Sequence, residues 1–368
     1  MVNNIEDLPE FDNHKFVSYF SDCSTGLKGY IAIHNENLGP AVGGTRIYPY
    51  KTNRDALVDC LRLSASMTRK CAIAGVPYGG AKAVIIGDPK KIINNKFLKS
   101  YADKINILGG NFFTGEDVGM KEEYVQYLIK YSPFFIGKTG VAGDPSPHAA
   151  KSTYVAMKAA LKYTNGSSSL KNISVAVKGV GKVGSTLVDL LVEDGAKIII
   201  ADIDKKAVQK ITKKYMNIQV TSHETINFLD VDVFAPCAMG NEITSKNVNN
   251  IKAKIICGGA NNQLESLRVG DILFKKNIVY VTDYIANAGG VINVVDELEH
   301  GGYRPKRVER RIKKTYLSTM KTLKGSAKKK VSPARFSDKI ANKMINREHK
   351  LSISRFLKHP RINKYAYV

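Results

Sequence analysis

Asn172-Ile-Ser-Val-Ala-Val-Lys178, Gly179-Val-Gly181-Lys-Val-Gly184 and Lys197-Ile-Ile-Ile-Ala-Asp202 follow one another in the chain. The first is an apolar, β-branched run of strand length. The second is a G-x-G-x-x-G turn opening a helix whose Leu187, Leu190 and Leu191 make one apolar face. The third is another strand, ending in an acid 23 positions after Gly179. Each part has a physical job. Gly179 permits the tight turn, Gly181 lets the backbone approach a pyrophosphate, and Gly184 lets the helix pack closely on the strand. Val180, Lys182 and Val183 complete the turn and open the helix, whose N-terminus, with its free N–H groups and positive dipole end, suits phosphate. Asp202 would accept hydrogen bonds from ribose hydroxyls and repel a 2′-phosphate, so this Rossmann pattern reads as an NAD site rather than an NADP site. Lys178 and Lys182 flank the turn, either as solvated lysines or as added attraction for the phosphates.

Working outward, strands are predicted at 172–178, 197–202, 217–220, 231–234, 254–257 and 278–281. Their alternation with helical segments means a parallel, doubly wound sheet. Upstream stand a helix at 148–163 and a Gly/Pro-rich boundary at 137–147. Before the boundary come a short strand at 28–33, a turn-rich stretch at 35–40, then Gly43-Gly44, and a helix at 54–69. A glycine-rich loop to Lys82, a buried strand at 83–86 and helices at 94–107 and 121–131 complete that half, with a loop at 111–119. A chain of 368 residues exceeds one ordinary core. The expected organisation is therefore α/β in two domains. An N-terminal α/β domain spans 1–146, the Rossmann domain 147–330, and a basic helical C-terminal segment 331–368.

The net charge of +23 sits mostly at the end: residues 301–368 hold 21 Lys/Arg against three acids, while the other 300 residues carry 35 basic and 30 acidic side chains. A basic helical tail could bind a polyanion, but a solvated face is the commoner meaning of such a run, and no nucleic-acid module accompanies it. Apolar residues make up 43%, without a membrane-spanning run or a secretory leader, so a cytoplasmic, non-membrane protein is expected. Cys23, Cys60, Cys71, Cys237 and Cys257 are scattered without metal-ligand spacing, and reduced thiols with no metal are expected.

Residues 66–119 carry a second signal. Lys70 ends a helix, Lys82 sits in a glycine-rich bend before an apolar strand, and Asp117 lies in the glycine-flanked loop Thr114-Gly-Glu-Asp-Val-Gly119. A lysine pressed against apolar backbone is desolvated, which lowers its pKa and can make it a base. A second lysine could anchor a substrate carboxylate, and the acid could shuttle protons. From spacing alone, ordinary surface lysines and a loop carboxylate remain the commoner meaning of such a pattern.

Seven stretches together resemble the glutamate/leucine/phenylalanine/valine dehydrogenase family, most of all its leucine-type members. They are Leu38-Gly-Pro-Ala-Val-Gly-Gly-Thr-Arg46, Ser66-Met-Thr-Arg-Lys70, Gly79-Gly-Ala-Lys-Ala-Val-Ile-Ile-Gly-Asp-Pro89, Gly115-Glu-Asp-Val-Gly119, Phe234-Ala-Pro-Cys-Ala238, Gly259-Ala-Asn-Asn-Gln-Leu264 and Asn287-Ala-Gly-Gly-Val-Ile-Asn-Val294. The resemblance implies two domains around a cleft, the first binding substrate and building a homo-oligomer (dimer or octamer), with C-terminal helices returning to it. It implies that Lys70 binds the substrate α-carboxylate, that Lys82 activates water and that Asp117 exchanges protons with the amino group, giving a 2-oxo acid and ammonia. Gly43, Gly44 and Asn262 would lie beside the substrate, and Ala238, Ala260 and Asn261 beside the cofactor. Leu38, Gly39, Gly115, Val291 and Val294 would line the side-chain pocket. Gly115, where leucine-type members have Ala, would enlarge that pocket and admits an aromatic alternative; Val291 and Val294 keep it aliphatic. Ala149 stands where relatives have a Thr that binds the nicotinamide carboxamide, with His148 as a conceivable replacement donor. A polyanion-binding protein on a degenerate dehydrogenase scaffold is the alternative from a different class.

Overall fold

The computed structural model describes residues 4–347 and divides into two compact units. The latter part of the basic C-terminal segment, 348–368, lies outside the described residues.

The first unit opens with the hairpin β1 (Phe16–Asp22) and β2 (Leu27–Asn35), followed by β3 (Ala41–Tyr48), α1 (Asn53–Ala74) and β4 (Gly79–Ile86). The short α2 (Pro89–Ile92), α3 (Asn95–Asn106), β5 (Phe112–Gly115) and α4 (Glu122–Leu128) complete it. Its sheet runs β1-β2-β4-β3-β5, antiparallel from β1 through β2 to β4 and parallel from β4 through β3 to β5. Thr52 caps α1 reciprocally with Asp55, and Gly75 ends it in the left-handed conformation. Ala56, Cys60 and Leu61 of α1 bury against Ala32 and Val84 of β2 and β4, which brings Lys70 and Lys82 onto packed neighbouring elements. Three strands here differ from the sequence expectation. Gly43 and Gly44, for which no element is predicted, belong to β3; the 111–119 loop contains β5; and β4 begins at Gly79, so Lys82 lies inside a strand. Glycine marks these strands because backbones approach there, not because the chain reverses.

The second unit holds α5 (Ser146–Asn165), β6 (Ser174–Lys178), α6 (Lys182–Glu193), β7 (Lys197–Ala201), α7 (Lys205–Lys214) and β8 (Gln219–Val220). β9 (Val233–Pro236), β10 (Ile255–Ile256), α8 (Leu267–Lys275), β11 (Val279–Tyr280) and the short α9 (Asp283–Ala286) follow. Its sheet is parallel throughout, in the order β11-β10-β9-β6-β7-β8, which is the doubly wound order with its switch point between β6 and β9. Alternate residues of β6 serve opposite layers. Val175 and Val177 pack with Met157, Leu187 and Leu191, while Ala176 packs with Ile226, Phe234 and Ile243.

The chain then crosses between units more often than the sequence predicts. Helix α10 (Gly289–Val295) leads into Val291–Pro305, which joins the first unit. The cause is polar: Asn293 donates to Ala142 O at 2.9 Å, and Glu297 accepts the N–H groups of Lys138 (2.9 Å), Ala142 (3.0 Å) and Gly137 (3.3 Å). Helix α11 (Pro305–Lys329) buries Val308, Ile312 and Leu323 and exposes Lys313, Lys314, Lys321 and Lys324. Helix α12 (Pro333–Arg347) ends in the first unit, where Ala341 and Ile345 cover Leu38 and Ala72. No helix among the described residues is long and apolar enough to cross a membrane.

Candidate functional site

In the first unit two strands and a loop converge on one carboxylate. Lys82 projects from β4 and donates to Asp117 Oδ2; Arg46 of β3 donates to Asp117 Oδ1 at 2.9 Å, as does the Val118 N–H at 2.8 Å. Arg46 also reaches Asp59 of α1 at 2.8 Å, and Tyr50 donates to the same Asp59 oxygen. Lys82 is only 3% exposed. Burial alone would raise the Asp117 carboxyl, but the Lys82 ammonium and the Arg46 guanidinium outweigh it and hold the group well below the usual carboxylate range. Asp117 is therefore an oriented anion, fixed from two sides. Asp59 carries no local motif signal, and Arg46, the last residue of a family-like stretch, is given no role by it; their contact with each other and that of Arg46 with Asp117, 71 residues on, reveal them.

Close backbone packing makes this geometry. A Cβ on Gly44 would stand 2.5 Å from Glu116 O and 2.9 Å from the Asp117 Cβ, so the missing side chain is what lets the Asp117 loop lie on β3. Gly43 likewise faces the Ala81 carbonyl, beside Lys82. Lys70 is buried in α1, two residues after Thr68. Leu38 is buried under α12; Val291 is buried and Val294 half-buried on α10, within the same unit. Gly115 overturns one expectation. Its Cβ would meet Ile136 O at 2.7 Å, so the absent methyl makes room for backbone and does not open a pocket.

In the second unit the sequence-predicted cofactor residues lie at the carboxyl ends of β6, β7, β9 and β10. Gly179 has φ +92°, and its Cβ would collide with Ala238 N at 2.7 Å; Gly184's would collide with Gly179 O at 1.9 Å. These collisions explain the first and third glycines. Helix α6 starts at Lys182, includes Val183 and Gly184, and has no side-chain cap on its N-terminus; a Cβ on Gly181 would meet nothing within 4 Å. Asp202 accepts the Val180 N–H at 2.7 Å and the Asp204 N–H at 2.8 Å, so its carboxylate both braces the turn and stands fixed beside it. Ala260 and Asn261 follow β10, and Asn262, with φ 51°, donates its N–H to Asp283. Asn287 binds Gly259 O, Ala260 O and Asn261 Oδ1 through its amide nitrogen, which leaves its buried Oδ1 as an acceptor without a partner. An uncapped helix N-terminus, open backbone at Gly181 and this orphaned acceptor together fit a phosphate-bearing ligand with hydrogen-bond donors. Asn287 is the site residue to which the sequence pattern attached no role.

Two further expectations change. Lys178 is neither solvated nor turned to the phosphates; it is 4% exposed and ion-paired with Glu242 at 2.6 Å. Around Ala149 the nearby hydroxyls are already used: Ser152 and Thr153 both donate to Ala149 O, at 3.0 and 2.9 Å, and Ser152 accepts the Gly289 N–H. Among the described residues no group of three or more His, Cys, Asp or Glu is placed to hold a metal ion. All five cysteines are free, and burial pushes the Cys71 and Cys237 thiols up to about 12.

Comparison with known proteins bears on both units. The Glu/Leu/Phe/Val dehydrogenase dimerisation domain matches residues 16–133, and the Glutamate/Leucine/Phenylalanine/Valine dehydrogenase model matches residues 146–349. Leucine dehydrogenase of Bacillus subtilis is 38% identical over 359 residues, 96% of each chain. Phenylalanine dehydrogenase of Lysinibacillus sphaericus is 38% identical over 333 residues, 89% of this chain and 87% of that one. The crystal structure of L-tryptophan dehydrogenase from Nostoc punctiforme superposes with a TM-score of 0.76 at 33% identity, covering 92% of this chain and 97% of the other.

Proposed function

The chain belongs to the Glu/Leu/Phe/Val dehydrogenase family and is an amino-acid dehydrogenase, and from that premise we propose that it catalyses the reversible, NAD-dependent oxidative deamination of an apolar L-amino acid of the leucine, valine or isoleucine type. The observation that carries the reading is the buried Lys82–Asp117 pair anchored by Arg46. A bound nicotinamide dinucleotide supplies the two-electron acceptor. Lys70 holds the substrate α-carboxylate. Asp117 takes a proton from the substrate ammonium, and the freed nitrogen lone pair stabilises the cation that develops at Cα. Lys82, as the free amine, removes a proton from the water that attacks the iminium carbon. Asp117 returns its proton to nitrogen and takes up the hydroxyl proton of the tetrahedral adduct as the C–N bond breaks, releasing ammonia and the 2-oxo acid. Arg46 stays on Asp117 while Lys82 turns to water, so the carboxylate keeps its orientation throughout.

NAD is favoured because the Asp202 carboxylate is pinned by two N–H groups and cannot swing away from a 2′-phosphate. Branched aliphatic substrates are favoured because Val291 and Val294 offer an aliphatic wall and the space at Gly115 is taken by Ile136. An aromatic substrate is the neighbouring alternative, since one methylene of pocket is worth only about 1–3 kcal/mol. The first unit, matched by a domain described as a dimerisation domain, would build a homo-oligomer. Following NADH formation with L-leucine, L-valine, L-isoleucine and L-phenylalanine at alkaline pH tests the assignment. Turnover fastest with a branched aliphatic substrate supports it; turnover confined to phenylalanine transfers the chain to the alternative, and none with any of the four rejects it.

A further inference from the structure

The carboxyl edge of the second unit's sheet holds a buried ion pair that the proposed reaction does not use. Lys178 is the last residue of β6, directly before Gly179. Its ammonium donates to Glu242 Oε1 at 2.6 Å and to Asn227 Oδ1 at 3.0 Å, and the Asn227 amide donates to the same Glu242 oxygen. The three lie on the layer of Ile226 and Ile243, opposite α5 and α6. Such a pair is a poor device for stability. Desolvating both charges costs about what their attraction returns, and well-packed apolar side chains commonly do as well or better. Its placement has to be explained by what it joins.

It joins the glycine-rich turn to the asparagine loop. Segment 237–243 leaves β9 with the Cys237 N–H donating to Lys178 O at 2.7 Å, and Ala238 lies against Gly179. At its other end the Asn241 N–H donates to Asn262 O at 2.7 Å and the Ile243 N–H to Gln263 O at 2.9 Å. Glu242 sits between those two bonds, and its carboxylate returns to Lys178. The side-chain pair thus closes a loop of contacts from β6 across the switch point to the end of β10.

We infer that the Lys178–Glu242 pair, steadied by Asn227, is a positioning element that sets the width of the dinucleotide crevice by holding segment 237–243 between the glycine turn and Asn261–Asn262. The inference rests on the reading of this edge as the dinucleotide site. Lys178 and Glu242 touch no reacting atom in this account; they act through the segment they hold.

The test uses the full-length enzyme with Glu242→Gln, Lys178→Arg and the apolar double variant Lys178→Met/Glu242→Leu. Steady-state KM for NAD, KM for the amino acid, kcat and Tm are measured, with NAD affinity by calorimetry. The double variant should melt at or above the native temperature, since the desolvated charges are gone. Its KM for NAD should nonetheless rise about tenfold, with kcat and the amino-acid KM within about twofold, because a loosened wall weakens the grip on the dinucleotide equally in the ground and transition states. Glu242→Gln should move in the same direction, and Lys178→Arg, which still reaches Glu242, should keep a KM near native. An unchanged NAD KM in the double variant overturns the inference, as does a loss spread equally over every parameter. If Glu242→Gln fails to fold, the double variant alone decides. Failure of the unsubstituted enzyme to bind NAD would instead overturn the reading of the site itself.

Discussion

Replacing Gly44 with Ala adds one methyl at the point where the Asp117 loop rests on β3. The new carbon would stand 2.5 Å from Glu116 O, against about 3.4 Å for ordinary contact, so something must retreat by about 0.9 Å. The nearest atoms are a backbone carbonyl and the Asp117 Cβ, which no rotamer change can withdraw. β3 is held on both sides by β4 and β5, so the loop is the part that yields. A retreat of that size would carry the Arg46–Asp117 bond, 2.9 Å in the native enzyme, out to about 3.8 Å, beyond hydrogen-bond reach. Misplacing a reacting group by an ångström costs about a hundredfold in rate, which is about 2.7 kcal/mol of transition-state stabilisation. Overpacking should also cost roughly 1–3 kcal/mol of stability. Steady-state kcat/KM for the amino acid, with Tm and NAD affinity measured beside it, gives the readout. The expected result is a folded protein with a kcat/KM about a hundredfold lower and NAD affinity unchanged, because the second unit is untouched. A folded Gly44→Ala enzyme with native kcat/KM would refute the packing argument and the role it gives Asp117.

Other consequences can be measured. Asp202→Asn keeps an oxygen for the Val180 N–H but removes the charge, so the NADP-to-NAD ratio of kcat/KM should rise by about tenfold or more; an unchanged ratio would assign discrimination elsewhere. Gly115→Ala should lower stability by roughly 1–3 kcal/mol through contact with Ile136 O, without shifting the leucine-to-phenylalanine preference; a clear shift toward leucine would restore Gly115 as a pocket wall. Burial, followed by the neighbouring His34, lowers His14 from 6.5 to about 4. The unfolded chain therefore takes up that proton first, and stability should fall as pH drops from 6.5 to about 4, with His14→Gln flattening the slope of Tm against pH in that window. Asp12, depressed by His34 and Arg69 against its burial, adds a separate loss only below its unfolded value of 3.8.

The cofactor half was legible because its signals are contiguous. Strand, turn, helix and acid from Asn172 to Asp202 lie within one local unit, and the parallel sheet follows from its alternation. The substrate half was legible mainly through its resemblance, and of its strands only the runs at 28–33 and 83–86, which fall in β2 and β4, were read from the residues. Gly43-Gly44 was given no element and Thr114-Gly115 read as loop because glycine reports absence of a side chain without saying whether a bend or a neighbouring backbone requires it. Lys178 reads as a surface charge until Glu242, 64 residues later, is found against it. Asp59 was silent, and Arg46 and Asn287 stood in family-like stretches without a role, for the same reason: their meaning lies in partners that only folding supplies. The return of Val291–Pro305 to the first unit depends on Glu297 meeting the N–H groups of residues 137–142, a contact without local periodicity.

The claim on which the rest depends is that Lys82 and Asp117 perform the chemistry while the glycine turn holds the dinucleotide. Lys82→Ala tests it most directly, with NADH formation from L-leucine and NAD affinity measured on the same preparation. The account predicts that turnover disappears while NAD binds as in the native enzyme. Turnover persisting at a native rate in that variant would contradict it.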